Sequence, residues 1–347
     1  MKKFFLVAFL SVFTAACLFS ITGCSGSSSS LKIYNWGDYI DKTVIDSFEK
    51  EYDIDVIYDE FATNEDMYAK MKAGANDYDV IIPSDYMIRR MIDEDMLHKI
   101  DFSKVPNFKY IDQRFKNLGY DPENEYSVPY MWGTVGILYN KKLVSDNVDS
   151  WKILWNKKYE KQILMLDSQR DSIGITLKML GYSLNSKDRK QLEEAKNKLI
   201  EQKPLVLAYV GDEVKDMMIG NEAALAVVWS GDATYMKREN KDLEYVVPKE
   251  GSNMWFDCMV MPKTGKHKKE AEMFINYMCK SDIAFKNADF IGYSTPHTEA
   301  RNMLPAELTK DRTAYPEQED LKTCEVFEDL SDTLTVYDRI WTEVKSR

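Results

Sequence analysis

Basic side chains are in deficit in this 347-residue chain: 46 Lys and Arg stand against 57 Asp and Glu, a net charge of −11. A protein that grips nucleic-acid phosphates normally carries a basic patch, so nucleic acid is set aside as a partner. Cysteine is scarce too, five in all, too few for a disulfide scaffold. The three histidines, His98, His267 and His297, show no metal-ligand spacing and no cysteine cluster accompanies them, so no metal is expected. Missing as well are a Gly-x-Ser-x-Gly elbow, a phosphate loop and a G-x-G-x-x-G turn after a strand, and no cofactor is expected. What the chain does have is a 44% hydrophobic composition, which suits a folded protein. Its length exceeds the roughly 250–300 residues of a single core, so two lobes are expected. Aromatic residues are plentiful, with 7 Trp, 21 Tyr and 15 Phe.

Met1-Lys2-Lys3 followed by the apolar run Phe4 to Phe19 reads as a secretory signal. It ends in Ile21-Thr22-Gly23-Cys24, which resembles the bacterial lipobox and implies cleavage of residues 1–23 and lipidation of Cys24. An uncleaved membrane anchor is the alternative. Residues 24–30 then form a Ser-rich tether that would hold a folded body off a membrane. No later stretch is long and apolar enough to span a bilayer. The expected location is therefore exported: lipid-anchored on the outer face of the cell membrane, or periplasmic. Cys258, Cys279 and Cys324 are assigned no chemistry, and Cys258 reads as a small core residue.

Strands are expected at Leu31–Tyr34, Ile54–Tyr58, Asp79–Pro83, Ile163–Leu166, Leu205–Tyr209, Ala223–Val228 and Met254–Met261, with helical patterns between them. The alternation predicts an α/β fold, with two mixed, mostly parallel sheets covered by helices on both faces. In such sheets ligands sit beyond the carboxyl ends of the strands. Those junctions carry Trp36, Asp38 and Tyr39; Ser84, Asp85 and Tyr86; Asp167, Ser168 and Asp171; and Trp229, Ser230 and Asp232. Ser and Asp at these turns also serve as helix caps, and Ser84, Asp85, Asp167 and Ser168, taken singly, are read so. For Asp38, Asp171 and Asp232 capping and ligand binding both stay open. Trp36 and Trp229 are read as functional, because a cap needs no ring.

Asp257 is the sharpest single residue. It lies in Met254-Trp255-Phe256-Asp257-Cys258-Met259-Val260-Met261, with no basic side chain between Gly251 and Met261. Alternation would place Trp255, Asp257 and Met259 on one face. A buried carboxylate without a partner costs several kcal/mol or protonates, so either a distant base or a cationic ligand must answer it. Rings plus carboxylates describe a receptor for an organic cation, which pairs each ammonium with a carboxylate and with the face of Trp or Tyr. A surface hydrolase acting on carbohydrate through paired carboxylates is the enzymatic alternative.

The ordered motifs Tyr34-Asn35-Trp36-Gly37-Asp38-Tyr39-Ile40, Val128-Pro129-Tyr130-Met131-Trp132-Gly133, Pro248-Lys249-Glu250-Gly251 and Gly292-Tyr293-Ser294-Thr295-Pro296 resemble the bacterial polyamine-binding proteins, the spermidine/putrescine receptors of ABC importers. The resemblance covers residues 31–347. It implies a two-lobe periplasmic-binding-protein fold of type II with the ligand cleft between lobes, roughly 31–135 with 256–302 and 136–255 with 303–347. It implies no catalysis, a monomer, and a permease as partner. It places Trp36, Tyr39, Ser84, Asp85 and Tyr86 on one wall, Trp229 and Trp255 around the methylene chain, and Asp257 and Asp171 on ammonium groups, with Tyr293 also matching. Gly37, Ser168 and Phe327 depart from the spermidine pattern, whereas Asp38 and Trp229-Ser230-Gly231-Asp232 resemble putrescine-selective relatives. The same fold binding another cationic or amino acid-like solute is a further alternative.

Overall fold

A computed structural model describes residues 30–74 and 76–346. Cys24 and the leader lie outside the described residues.

The strands are β1 (Ser30–Trp36), β2 (Asp55–Phe61), β3 (Val80–Ile81), β4 (Leu97–His98), β5 (Ser127–Asn140), β6 (Ile163–Leu166), β7 (Val206–Val210), β8 (Leu225–Trp229), β9 (Leu243–Val246) and β10 (Met254–Pro262). They run in the order β2-β1-β3-β10-β5-β8-β6-β7, with β4 on β10 and β9 on β5. Parallel pairs stand at the two flanks, β1 with β2 and β3, and β6 with β7 and β8. The centre is antiparallel: β10 pairs β3, β4 and β5, and β5 pairs β8 and β9. The sheet is mixed as expected, but its parallel pairs are confined to the flanks and do not predominate. A strand returning from one flank to the other without a covering crossover helix runs against its neighbour.

β5 makes the join. Its residues Ser127–Thr134 pair with β10, and Val135–Asn140 pair with β8 and β9. The sequence pattern gave no strand here, because nearly every side chain of β5 is buried and none of the polar alternation of a half-exposed strand remains. Pro129 also argues against a central strand. The ladder accommodates it with a bulge: Asp257 faces Met131 while Cys258 faces Pro129, leaving Tyr130 unpaired. Along β10 itself Trp255 through Pro262 are all buried, so both faces of that strand are covered.

The helices that position the site follow strand ends. α1 (Lys42–Tyr52) is capped by the Asp41 side chain, which accepts from the Thr43 N–H at 2.9 Å. α2 (Asp85–Asp93) follows β3, α3 (Gln169–Met179) follows β6, α4 (Val214–Ile219) follows β7, and α5 (Ser230–Glu239) follows β8 without a break. Helices α6 (Lys268–Met278) and α7 (Ser281–Ile291) lead into the Gly292–Pro296 loop, whose Ser294 bridges to Trp132 on β5. Among the described residues no helix is long and apolar enough to cross a membrane.

Candidate functional site

The bulge in β5, opposite Asp257 and Cys258 of β10, borders the deepest part of the site. With Tyr130 skipped, the Cys258 N–H leaves the β5 ladder and donates to the Pro83 carbonyl at 3.1 Å, and Asp257 forms a bridge with Ser84. The Asp257 carboxylate is thereby set under the β3–α2 junction. Ser84 Oγ donates to its Oδ1 at 2.6 Å, and the Tyr39 hydroxyl donates to its Oδ2 at 2.8 Å. Asp257 is 7% exposed. Burial pushes its carboxyl up to about 6, against the opposing pull of the Ser84 and Tyr39 hydrogen bonds. Among the described residues no Lys, Arg or His lies within ion-pair distance of it.

Ser84 occupies the N-cap position of α2 yet makes no cap bond. Its hydroxyl donates to Asp257 and accepts from Asn64 Nδ2 at 3.0 Å, and Asn64 Oδ1 takes the Ser84 N–H. The capping reading of Ser84 is corrected accordingly: a buried carboxylate outcompetes the helix end for the hydroxyl. Ser168 does cap α3, accepting from the Asp171 N–H. Asp85 is fully buried and accepts from the Tyr86 N–H at 2.7 Å and the Phe256 N–H at 2.9 Å, fastening α2 to β10. Burial raises its carboxyl to about 8, the two N–H bonds pulling back.

Rings connect Asp257 to a second carboxylate. The Tyr39 ring meets Tyr293 edge-on at 5.6 Å, and Tyr293 lies 5.4 Å from Trp255. Close approach requires glycine twice. A Cβ on Gly231 would fall inside the Tyr293 ring, and one on Gly133 would stand 2.6 Å from both the Trp255 ring and Ser230 Oγ. The Tyr293 hydroxyl donates to Asp232 Oδ1 at 3.2 Å. The same oxygen lies 3.3 Å from Lys215 Nζ, on α4, so Asp232 already has a cation. Burial raises the Asp232 carboxyl while Lys215 pulls it down.

Asp171 is buried, accepting from Ser168 Oγ at 2.7 Å and from Asn253 Nδ2 at 3.2 Å, and burial raises its carboxyl. Asn253 directly precedes β10, which ties α3 to the strand carrying Trp255 and Asp257. Tyr86 is half-buried, donates to Glu65 at 2.9 Å and meets Phe327 edge-on at 6.1 Å. Trp36 and Trp229 are half-exposed at the ends of β1 and β8. The indole N–H groups of Trp36 and Trp255 are buried without a partner. Asp38 is exposed at φ 51° and lines a cavity together with Tyr39, Tyr58, Glu60 and Phe290. The structure thus gathers Tyr39, Ser84, Trp255, Asp257, Tyr293 and Asp232 into one connected set. Asn64, Lys215 and Asn253 were not singled out in the sequence, being ordinary polar residues far from their partners in the chain.

Comparison with known proteins fits this arrangement. Residues 43–317 match the family described as bacterial extracellular solute-binding protein. The spermidine/putrescine-binding periplasmic protein of Escherichia coli K12 is 36% identical over 323 residues, 92% of each chain. The putrescine-binding periplasmic protein SpuD of Pseudomonas aeruginosa is 31% identical, covering 94% of this chain and 95% of that one. A solved structure, a putative spermidine/putrescine ABC transporter from Listeria monocytogenes, superposes with a TM-score of 0.88 at 46% identity, covering 92% of this chain and 99% of that one. The fold is that of the periplasmic binding proteins, and the chain belongs to the bacterial extracellular solute-binding protein family.

Proposed function

We propose that this protein is a polyamine receptor: it captures spermidine, putrescine or both outside the cell membrane and delivers them to the permease of an ABC importer. The observation that carries the reading is Asp257, a buried carboxylate met by two hydroxyls and by no cation among the described residues, beside the rings of Tyr39, Tyr293 and Trp255. A protonated amine supplies the missing charge through a charge-assisted hydrogen bond. Its methylene chain packs on the rings, and each ammonium over a ring face adds about 0.5–2 kcal/mol. Asp171 takes a second ammonium, and Trp36, Trp229 and Tyr86 wall the cleft.

The two lobes are residues 31–135 with 256–302 and 136–255 with 303–347. The change of partner along β5 at Thr134–Val135 supports that division. Hinge closure between them traps the ligand and presents the closed form to the permease. The role is binding rather than catalysis, by a monomer held to the membrane through lipid on Cys24. A calorimetric titration of the folded body with putrescine, cadaverine, spermidine and spermine tests the reading. Micromolar affinity for at least one is expected, and no heat from any of them rejects it.

A further inference from the structure

Two buried carboxylates of the connected set are treated differently, and the difference bears on which polyamine fits. Among the described residues, the Asp257 carboxylate has the Ser84 and Tyr39 hydroxyls as its side-chain partners and no cation. Asp232, 5% exposed in the first turn of α5, has the Tyr293 hydroxyl at 3.2 Å and the Lys215 ammonium at 3.3 Å on one oxygen. Lys215 is itself held at 3.0 Å by Asp212, so its ammonium sits between two carboxylates. The Tyr293 ring that reaches Asp232 also contacts Trp255 and Tyr39, which places this ion pair at the edge of the aromatic cluster. An ammonium on a four-methylene stem is chemically the end of a diamine.

We infer that Lys215 is a built-in counter-ion of the cleft, a tethered ammonium that fills the Asp232 subsite and so limits the number of amines the receptor accepts. With Asp232 taken, Asp257 and Asp171 remain for the ligand, a set matched to two ammonium groups. A third amine arriving near Asp232 meets a lysine cation instead of a free carboxylate. Lys215 is thus a specificity-determining residue whose effect falls on the triamine more than on the diamine. This rests on the polyamine reading above and names the subsite that sets ligand length.

The test is calorimetry of putrescine and spermidine on wild type, Lys215→Met and Lys215→Met/Asp232→Asn, with melting curves to confirm that each is folded. Lys215→Met is expected to raise the spermidine-to-putrescine affinity ratio about tenfold, the worth of one hydrogen bond to a charged group. The double variant returns the ratio to that of wild type, because the freed carboxylate is gone. Polyamine binding by wild type with the ratio unchanged in a folded Lys215→Met protein overturns the inference and leaves the receptor reading intact. An equal ratio rise in the double variant also overturns it, since Asp232 would not be the group released. Absence of any binding by wild type removes the receptor reading itself.

Discussion

Asp257 and Asp232 have the same side chain, nearly the same burial, and a tyrosine hydroxyl each, yet only one is matched in charge. Asp232 has Lys215 at 3.3 Å, while Asp257 has Ser84 and Tyr39. Burial alone therefore does not mark a ligand carboxylate; the missing cation does. The Asp232 end is closed by the protein's own ammonium, and on the proposed reading the Asp257 end is left for the guest.

The sharpest way to break this comparison is Asp257→Asn, which removes the charge and keeps the shape. Losing one partner of a desolvated charge pair costs roughly 3–5 kcal/mol, so polyamine affinity should fall at least about a hundredfold by calorimetry. A third buried carboxylate shows what a structural role looks like. Asp85 accepts two backbone N–H groups, and Asp85→Ala leaves the Phe256 N–H without a partner. Urea unfolding should show a loss of about 1–3 kcal/mol.

The next effect is on pH. The Asp257 carboxyl, raised to about 6 by burial, takes up a proton as pH falls through that value, and an ammonium cannot pair with the neutral acid. The dissociation constant should rise by about tenfold per pH unit below 6. Stability of the ligand-free protein moves the other way: the folded state binds this proton more tightly than the unfolded chain, so the Asp257 contribution improves as pH falls from above 6 towards about 4. A pH series of titrations and melting curves checks both signs. The smallest effect sharpens the contrast in stability. Asp232→Asn breaks a partly exposed ion pair and should cost no more than about 1 kcal/mol, whereas Asp257→Asn relieves a buried charge and should stabilise the ligand-free protein.

How far the sequence reached is visible at the same residues. Asp257 was legible because its apolar strand, which also carries Trp255, has no base nearby, and Tyr293 fell in a motif that matched a family. The strand β5 was not legible, since burial on both faces erases alternation and Pro129 argues against a ladder that a bulge makes possible. Ser84 was misread because a serine at a strand-to-helix turn looks the same whether its hydroxyl caps the helix or reaches Asp257, 173 residues away. Lys215 gave no signal at all: its partner Asp232 is brought to it by the folding of α4 against α5, and a single lysine on a short helix is indistinguishable from a solvated one.

Carboxyl-carbon NMR titration of Asp257, with and without polyamine, shows whether this carboxylate is left for an external cation. An apparent pKa of about 6 is expected in the free protein, moving down once the amine is bound, because an ammonium favours the ionised form. An ordinary carboxylate value in the free protein, or a raised value that saturating polyamine leaves in place, would contradict this reading.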